Sequence, residues 1–154
     1  MSEQHRPRIL SITNQKGGVG KTTTAINLGA ALVSLGQRVL IIDLDPQGNA
    51  STGLGISARE RGTTTYELLH EDAPLSAVIR STETEGLHIA PATTDLSSTD
   101  VALGAQENRV FLLKDALAGA ALADYDYVLI DSPPSLSLLT VNSLVASDAV
   151  LVPL

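Results

Sequence analysis

Between an apolar run at Ile9, Leu10 and Ile12 and the start of a helical pattern stands the nonapeptide Gln15-Lys16-Gly17-Gly18-Val19-Gly20-Lys21-Thr22-Thr23. A glycine-rich turn joining a strand to a helix aims several backbone N–H groups into one concavity. The positive end of the helix lies behind it, and such a concavity holds phosphate oxygens. The phosphate-loop consensus G-x-x-x-x-G-K-[ST] is met at Gly20-Lys21-Thr22, while its first glycine falls on Gln15. In this pattern Lys21 reaches the β- and γ-phosphates and the Thr22 hydroxyl ligates Mg²⁺. Lys16 and the Gly17-Gly18 pair are additions to the consensus. Lys21 already serves its own nucleotide, so Lys16 is free to serve another. The alternative is an exposed lysine that only raises local phosphate affinity.

Composition narrows the fold further. Hydrophobic residues make up 44% of the chain but aromatic ones only 3%, so the core must be aliphatic. Such a core suits parallel strands covered by helices on both faces. A length of 154 residues is one domain's worth of sequence. The chain has no cysteine, which excludes disulfides, cysteine-ligated iron–sulfur clusters and thiol chemistry within it. Residues 1–8 are polar and unlike a signal peptide. No apolar stretch approaches the ~20 residues needed to cross a bilayer, so a cytoplasmic location is expected. A net charge of −7 argues against a generally cationic nucleic-acid binder, though it leaves room for a local basic patch.

Along the chain, strand and helix patterns alternate. Residues 1–7 read as a polar arm and 8–154 as a single domain. Residues 8–13 read as a strand. Residues 22–35 place Ile26, Ala30 and Val33 at helical spacing, with Leu28, Leu32 and Leu35 beside them, and Gly36 stops the helix. Val39-Leu40-Ile41-Ile42, ending at Asp43, is a second strand and closes a βαβ unit. Residues 45–63, with Pro46, Gly48, Gly53, Gly55 and Gly62, read as a long mobile loop with room for one helical turn. Residues 65–70 read as a short helix, and 74–80 are ambiguous. Residues 87–90 form a third strand ended by Pro91. Residues 95–103 and 109–123 are helical, the second strongly so. Residues 127–130 form a fourth strand ending at Asp131, 137–146 a helix and 149–152 a fifth strand. This alternation predicts an α/β fold, doubly wound, with a mainly parallel sheet flanked by helices and ligands at the carboxyl ends of its strands.

Three more places at those ends carry chemistry. Asp43-Leu44-Asp45-Pro46-Gln47-Gly48-Asn49 follows the second strand. Carboxylates there can hold Mg²⁺ through water or orient an attacking water, whereas an Asp-Pro turn with Asp43 capping its own backbone reads the same way. Asp131, after four apolar residues and before Ser132-Pro133-Pro134, follows the Walker B pattern, whose Asp positions the metal. Pro91-Ala92-Thr93-Thr94-Asp95 reads as a switch or contact loop or, better, as an N-cap before a helix. His5, His70 and His88 have no metal-ligand spacing. The run Arg59-Glu60-Arg61 reads as a solvated face, and Tyr125 and Tyr127 as packing at a strand start.

The combination Lys16-Gly17-Gly18-Val19-Gly20-Lys21-Thr22-Thr23, Asp43-Leu44-Asp45-Pro46-Gln47-Gly48-Asn49 and Asp131-Ser132-Pro133-Pro134-Ser135-Leu136 resembles the ParA/Soj family. These are P-loop ATPases of the deviant Walker-A type that partition bacterial chromosomes and plasmids. MinD proteins and nitrogenase iron proteins share the extra lysine, but Asp45-Pro46-Gln47-Gly48-Asn49 fits the partitioning branch better, and the nitrogenase relative needs cysteine ligands. The resemblance implies that Lys16 crosses an ATP-sandwich homodimer to the partner's nucleotide. Lys21 and the amides of Gly17, Gly18, Val19 and Gly20 hold the β- and γ-phosphates, and Thr23 contacts the α-phosphate. Thr22 and Asp131 hold Mg²⁺ with Asp43 in support, and Asp45 orients the hydrolytic water.

What the resemblance implies functionally is a slow, Mg²⁺-dependent ATPase that binds ATP and ADP and dimerises on ATP. A ParB-type partner stimulates it, and the protein works on nonspecific DNA at the nucleoid. Family members run longer than this chain, so it is read as a fragment or a truncated natural protein. It then lacks the segment that supplies the adenine pocket and much of the basic DNA-binding surface. A non-hydrolysing nucleotide-binding or interaction module is the alternative reading. A MinD-like positioning ATPase is another, but it requires a C-terminal amphipathic helix, and no membrane contact is expected.

Overall fold

The apolar runs become strands because each alternates its side chains between two helical layers. In the computed structural model, which describes residues 5–13 and 21–153, β1 is Arg8–Ile12, β2 Val39–Asp43, β3 Arg80–Ser81, β4 Leu87–Ala90, β5 Tyr127–Asp131 and β6 Ala149–Leu151. The helices are α1 (Lys21–Ser34), α2 (Asn49–Gly53), α3 (Thr65–His70), α4 (Leu75–Val78), α5 (Thr99–Leu103), α6 (Leu112–Ala116) and α7 (Leu138–Ala146). The strands form one sheet in the order β3-β4-β2-β5-β1-β6, parallel except for β3 on β4. Every residue of β2 is buried. Leu40 and Ile42 face one core layer, with Val128, Ile130, Leu68, Leu113 and Leu139. Val39 and Ile41 face the other, with Ala25, Ile89 and Leu129, and with Leu28, Leu32 and Val33 of α1 packed against it. The doubly wound expectation therefore holds, and 74–80 resolves into α4 followed by β3.

The sheet's register does the positioning. Ile12 pairs with Asp131 and Asp131 with Asp43, so the carboxyl ends of β1, β5 and β2 stop in one row. The carbonyl of Ile12 accepts both the N–H and the hydroxyl of Ser132, at 3.3 and 2.9 Å. The amide of Leu44 donates to the Asp131 carbonyl at 2.9 Å, which stitches the row together.

Four expectations need correction. The helix over 109–123 reduces to α6 and a 3₁₀ turn at Ala120–Leu122. The cause is Asn142 of α7, fully buried. Its Oδ1 accepts the Leu113 amide at 3.1 Å and its Nδ2 donates to the Arg109 carbonyl at 2.8 Å. A helix running through Arg109 would pair that same amide with that same carbonyl, so the carboxamide intercepts the bond. Downstream, Gly119 takes φ of 115°, which ends the run.

Residues 95–103 are likewise not one α-helix. Thr94–Ser98 is 3₁₀ and α5 follows. The hydroxyls of Ser97, Ser98 and Thr99 each donate to the carbonyl three residues back, at 2.7, 2.8 and 2.7 Å, and so compete with α-helical pairing. The expected cap before this helix is only half realised. Thr93 occupies the N-cap but makes no side-chain cap bond, and its buried hydroxyl has no partner among the described residues. Finally, 45–63 contains the helical turn expected of it, as α2, but it also holds a 3₁₀ turn at Ala58–Glu60 and is not a free loop, since Gly48, Ala50, Ser51 and Arg61 are buried.

Candidate functional site

The row of strand ends carries the candidate site. Asp131 is fully buried at the end of β5, and its Oδ2 accepts the hydroxyl of Thr22, one residue into α1, at 2.9 Å. The beginning of the helix that follows the glycine-rich segment is thus tied to the Walker-B-type carboxylate. Thr23 is exposed beside it. Lys16, Gly17, Gly18, Val19 and Gly20 lie outside the described residues, as does the side chain of Lys21.

Asp43 stands beside Asp131 on the next strand and is equally buried. Its Oδ1 accepts the Asp45 amide at 3.1 Å, and its Oδ2 accepts the amide and hydroxyl of Ser51 at 3.0 and 2.7 Å. Burial first, and the charge of Asp131 second, push the Asp43 carboxyl up from 3.8 to about 7, against the pull of those hydrogen bonds. Asp45 is 5% exposed. Its Oδ1 accepts the Gln47 amide at 3.0 Å and its carbonyl accepts the Gly48 amide at 2.8 Å, which closes a tight turn. The Asp-Pro turn and the carboxylate cluster are therefore the same object.

This donor set fits Mg²⁺. Among the described residues no group of three or more His, Cys, Asp or Glu could hold a metal. Mg²⁺ instead takes one or two carboxylates and a hydroxyl, and completes its shell with water and phosphate oxygens. Repulsion between adjacent buried carboxylates is what a divalent cation relieves. Both Asp43 oxygens are engaged, so its contribution would be charge and water-mediated contact, with Thr22 and Asp131 nearest the ion.

Two residues of this site escaped the sequence. Ser51 is fully buried, and its hydroxyl donates to Asp43 while accepting the Ala92 amide at 3.1 Å. Arg61, expected on a solvated face, is only 6% exposed. No local signal separates it from exposed Arg59 and Glu60; only packing against the loop after β4 does. The histidines serve structure: His70 Nε2 bonds the Thr99 hydroxyl at 3.0 Å and His88 Nδ1 the Tyr125 hydroxyl at 2.6 Å. A cleft of about 1060 Å³ near His5, Arg6, Lys114 and Asp148 contains none of the site residues. No described helix is long and apolar enough to cross a membrane.

A family model described as an AAA domain matches residues 7–154. The chain is 57% identical over 148 residues to the chromosome partitioning protein ParA of Caulobacter vibrioides, covering 96% of this chain and 55% of that protein. It is 49% identical over 146 residues to the sporulation initiation inhibitor protein Soj of Bacillus subtilis, covering 95% and 57%. It therefore spans about half the length of the curated relatives it matches. Among solved structures it resembles a cobyrinic acid a,c-diamide synthase from Mycobacterium smegmatis with bound ADP and magnesium. There the TM-score is 0.91 at 44% identity, over 97% of this chain and 60% of that one. A plasmid partition protein from Borrelia burgdorferi superposes with a TM-score of 0.85 at 32% identity, over 97% and 66%.

Proposed function

Because the chain belongs to the ParA/Soj branch of the AAA-domain family, we propose that it is the nucleotide-binding part of a partitioning ATPase. It binds ATP with Mg²⁺, dimerises on ATP and hydrolyses it slowly, in chromosome or plasmid partitioning. The observation that supports this most is the Thr22–Asp131 bond at 2.9 Å behind a glycine-rich segment, in register with Asp43. The M. smegmatis neighbour, solved with ADP and magnesium, supports the same ligand pair.

The division of labour follows from charge. Lys21 and the amides of residues 17–21 hold the β- and γ-phosphates, and Thr23 reaches the α-phosphate. Thr22 and Asp131 hold Mg²⁺, which when bound supplies positive charge to the phosphate oxygens. Asp45, on its closed turn, orients the attacking water. Two facing triphosphates repel unless cations intervene, and Lys16 from each subunit is that cation, which makes dimerisation ATP-dependent. A lysine is a single point charge without the planar fork of arginine, consistent with slow turnover. Loss of the γ-phosphate loosens the hold of the switch loop on the nucleotide and dissolves the dimer. A ParB-type protein and nonspecific DNA are the partners of the whole protein.

The test is ATP turnover with Mg²⁺ for the wild type and Asp45→Ala, with size-exclusion chromatography of the wild type and Lys16→Ala under ATP. Turnover lost in Asp45→Ala and dimers lost in Lys16→Ala support the proposal. A wild type that binds nucleotide yet neither turns it over nor dimerises is a non-hydrolysing interaction module instead.

A further inference from the structure

We propose that Arg61 is a positioning residue for the turn that carries Asp45. Among the described residues it is the one basic side chain that is buried. Its guanidinium meets no carboxylate there. Nη1 donates to the Ala92 carbonyl at 3.0 Å, Nη2 to the Thr52 hydroxyl at 2.8 Å and, more loosely, to the Gly48 carbonyl at 3.5 Å. Nε donates to the Ile56 carbonyl at 3.3 Å. One planar fork thus bridges the loop after β4, the start of α2 and the segment beyond it, which a single point charge on a flexible stem cannot do. The backbone of Arg61 is itself held, since Arg80 of β3 donates to its carbonyl at 2.9 Å.

The path from this fork to Asp45 is short. Gly48 is the N-cap of α2, with φ of 64°. Its carbonyl accepts the Thr52 amide at 2.9 Å and its amide donates to the Asp45 carbonyl at 2.8 Å. A Cβ at Gly48 would lie 2.2 Å from Arg61 Nη1, so glycine is required there both for the left-handed backbone and for entry of the guanidinium. Ser51, within α2, is pinned to Asp43 and Ala92. Arg61 and Ser51 together clamp α2 between β2 and β4, so the turn at residues 45–48 cannot shift without breaking charge-assisted bonds. Burying an arginine on neutral acceptors is costly, and the four hydrogen bonds it makes here offset part of that cost. What they hold in place is the backbone of the turn that carries Asp45.

The inference rests on the proposed role of Asp45, so its test has one arm that does not need hydrolysis. Hydrogen exchange is measured on the nucleotide-free wild type, Arg61→Met, Arg61→Lys and Thr52→Val. In Arg61→Met the amides of Gly48 and Thr52 should exchange about tenfold faster or more while those of β2 and β5 are unchanged. Arg61→Lys should fall between. Thr52→Val, which removes one acceptor at an exposed side chain and keeps the fold, should show a smaller rise at the same amides. In the second arm, Arg61→Met should lower kcat about tenfold with KM within about threefold of wild type. Exchange that rises uniformly or not at all overturns the proposal. So does kcat that survives in Arg61→Met. If the wild type itself shows no turnover, the ATPase reading fails, while local exchange still decides whether Arg61 positions the turn.

Discussion

Replacing Asp43 by asparagine separates the charge of a buried carboxylate from its hydrogen bonds. In the metal- and nucleotide-free protein the Asp43 carboxyl is raised from 3.8 to about 7. The folded state therefore binds a proton that the unfolded state has already released across that window. Stability from this group is fully present below the unfolded value and is lost as pH rises through the folded one. At about 1.4 kcal/mol per pH unit the whole displacement is worth about 4 kcal/mol, of which about 2–3 kcal/mol falls between pH 5 and 8. The carboxamide of the Asp43→Asn variant does not titrate. It does place an NH₂ against the Asp45 or Ser51 amide, at about 1–3 kcal/mol, but that loss is the same at every pH. Thermal unfolding of both proteins from pH 5 to 8, without Mg²⁺ or nucleotide, should show Asp43→Asn gaining on the wild type by about 6–9 °C across the range, at about 3 °C per kcal/mol. A difference in Tm that is flat with pH, or that moves the other way, refutes the account of an Asp43 carboxyl raised by burial and by the neighbouring Asp131.

Three shorter predictions follow from other contacts. Thr22→Val removes the donor to Asp131 and should weaken Mg·ATP binding about tenfold while leaving metal-free ATP binding nearly unchanged, as isothermal titration would show. Asn142→Leu removes the carboxamide between Leu113 and Arg109 and should cost about 2–4 kcal/mol in urea unfolding, with a gain in far-ultraviolet helical signal as α6 extends backwards. His88 is held below its usual 6.5 by burial and then by Arg38, so stability present above 6.5 is lost as pH falls below it. His88→Phe should lose less Tm than wild type between pH 6.5 and 5, and equal losses would contradict the burial argument.

The strands and the first helix were legible because their signals are local. Val39 to Ile42 is apolar throughout and Asp43 ends the run, and β2 is buried along its whole length; α3 at Thr65–His70 and β4 at Leu87–Ala90 fell where the pattern put them. The long helix over 109–123 failed for a non-local reason. Its periodicity was sound, but a carboxamide some thirty residues away took over its hydrogen bonds. Arg61 failed in the same manner. Charge runs are usually solvated, and nothing adjacent says that Ala92 and Thr52 will surround one of them.

The chain's own order of residues settled the phosphate-loop pattern, the alternation of strand and helix, and the presence of acids at the ends of β2 and β5. Backbone periodicity and turn chemistry act over a few residues and can be read off directly. Which strand ends lie side by side, that Asp43 and Asp131 repel, that Asn142 interrupts α6 and that Arg61 is walled in were decided by the folded molecule. Burial of a polar group depends on partners distant in the chain, and its energetic consequence exists only once packing has removed water from around it.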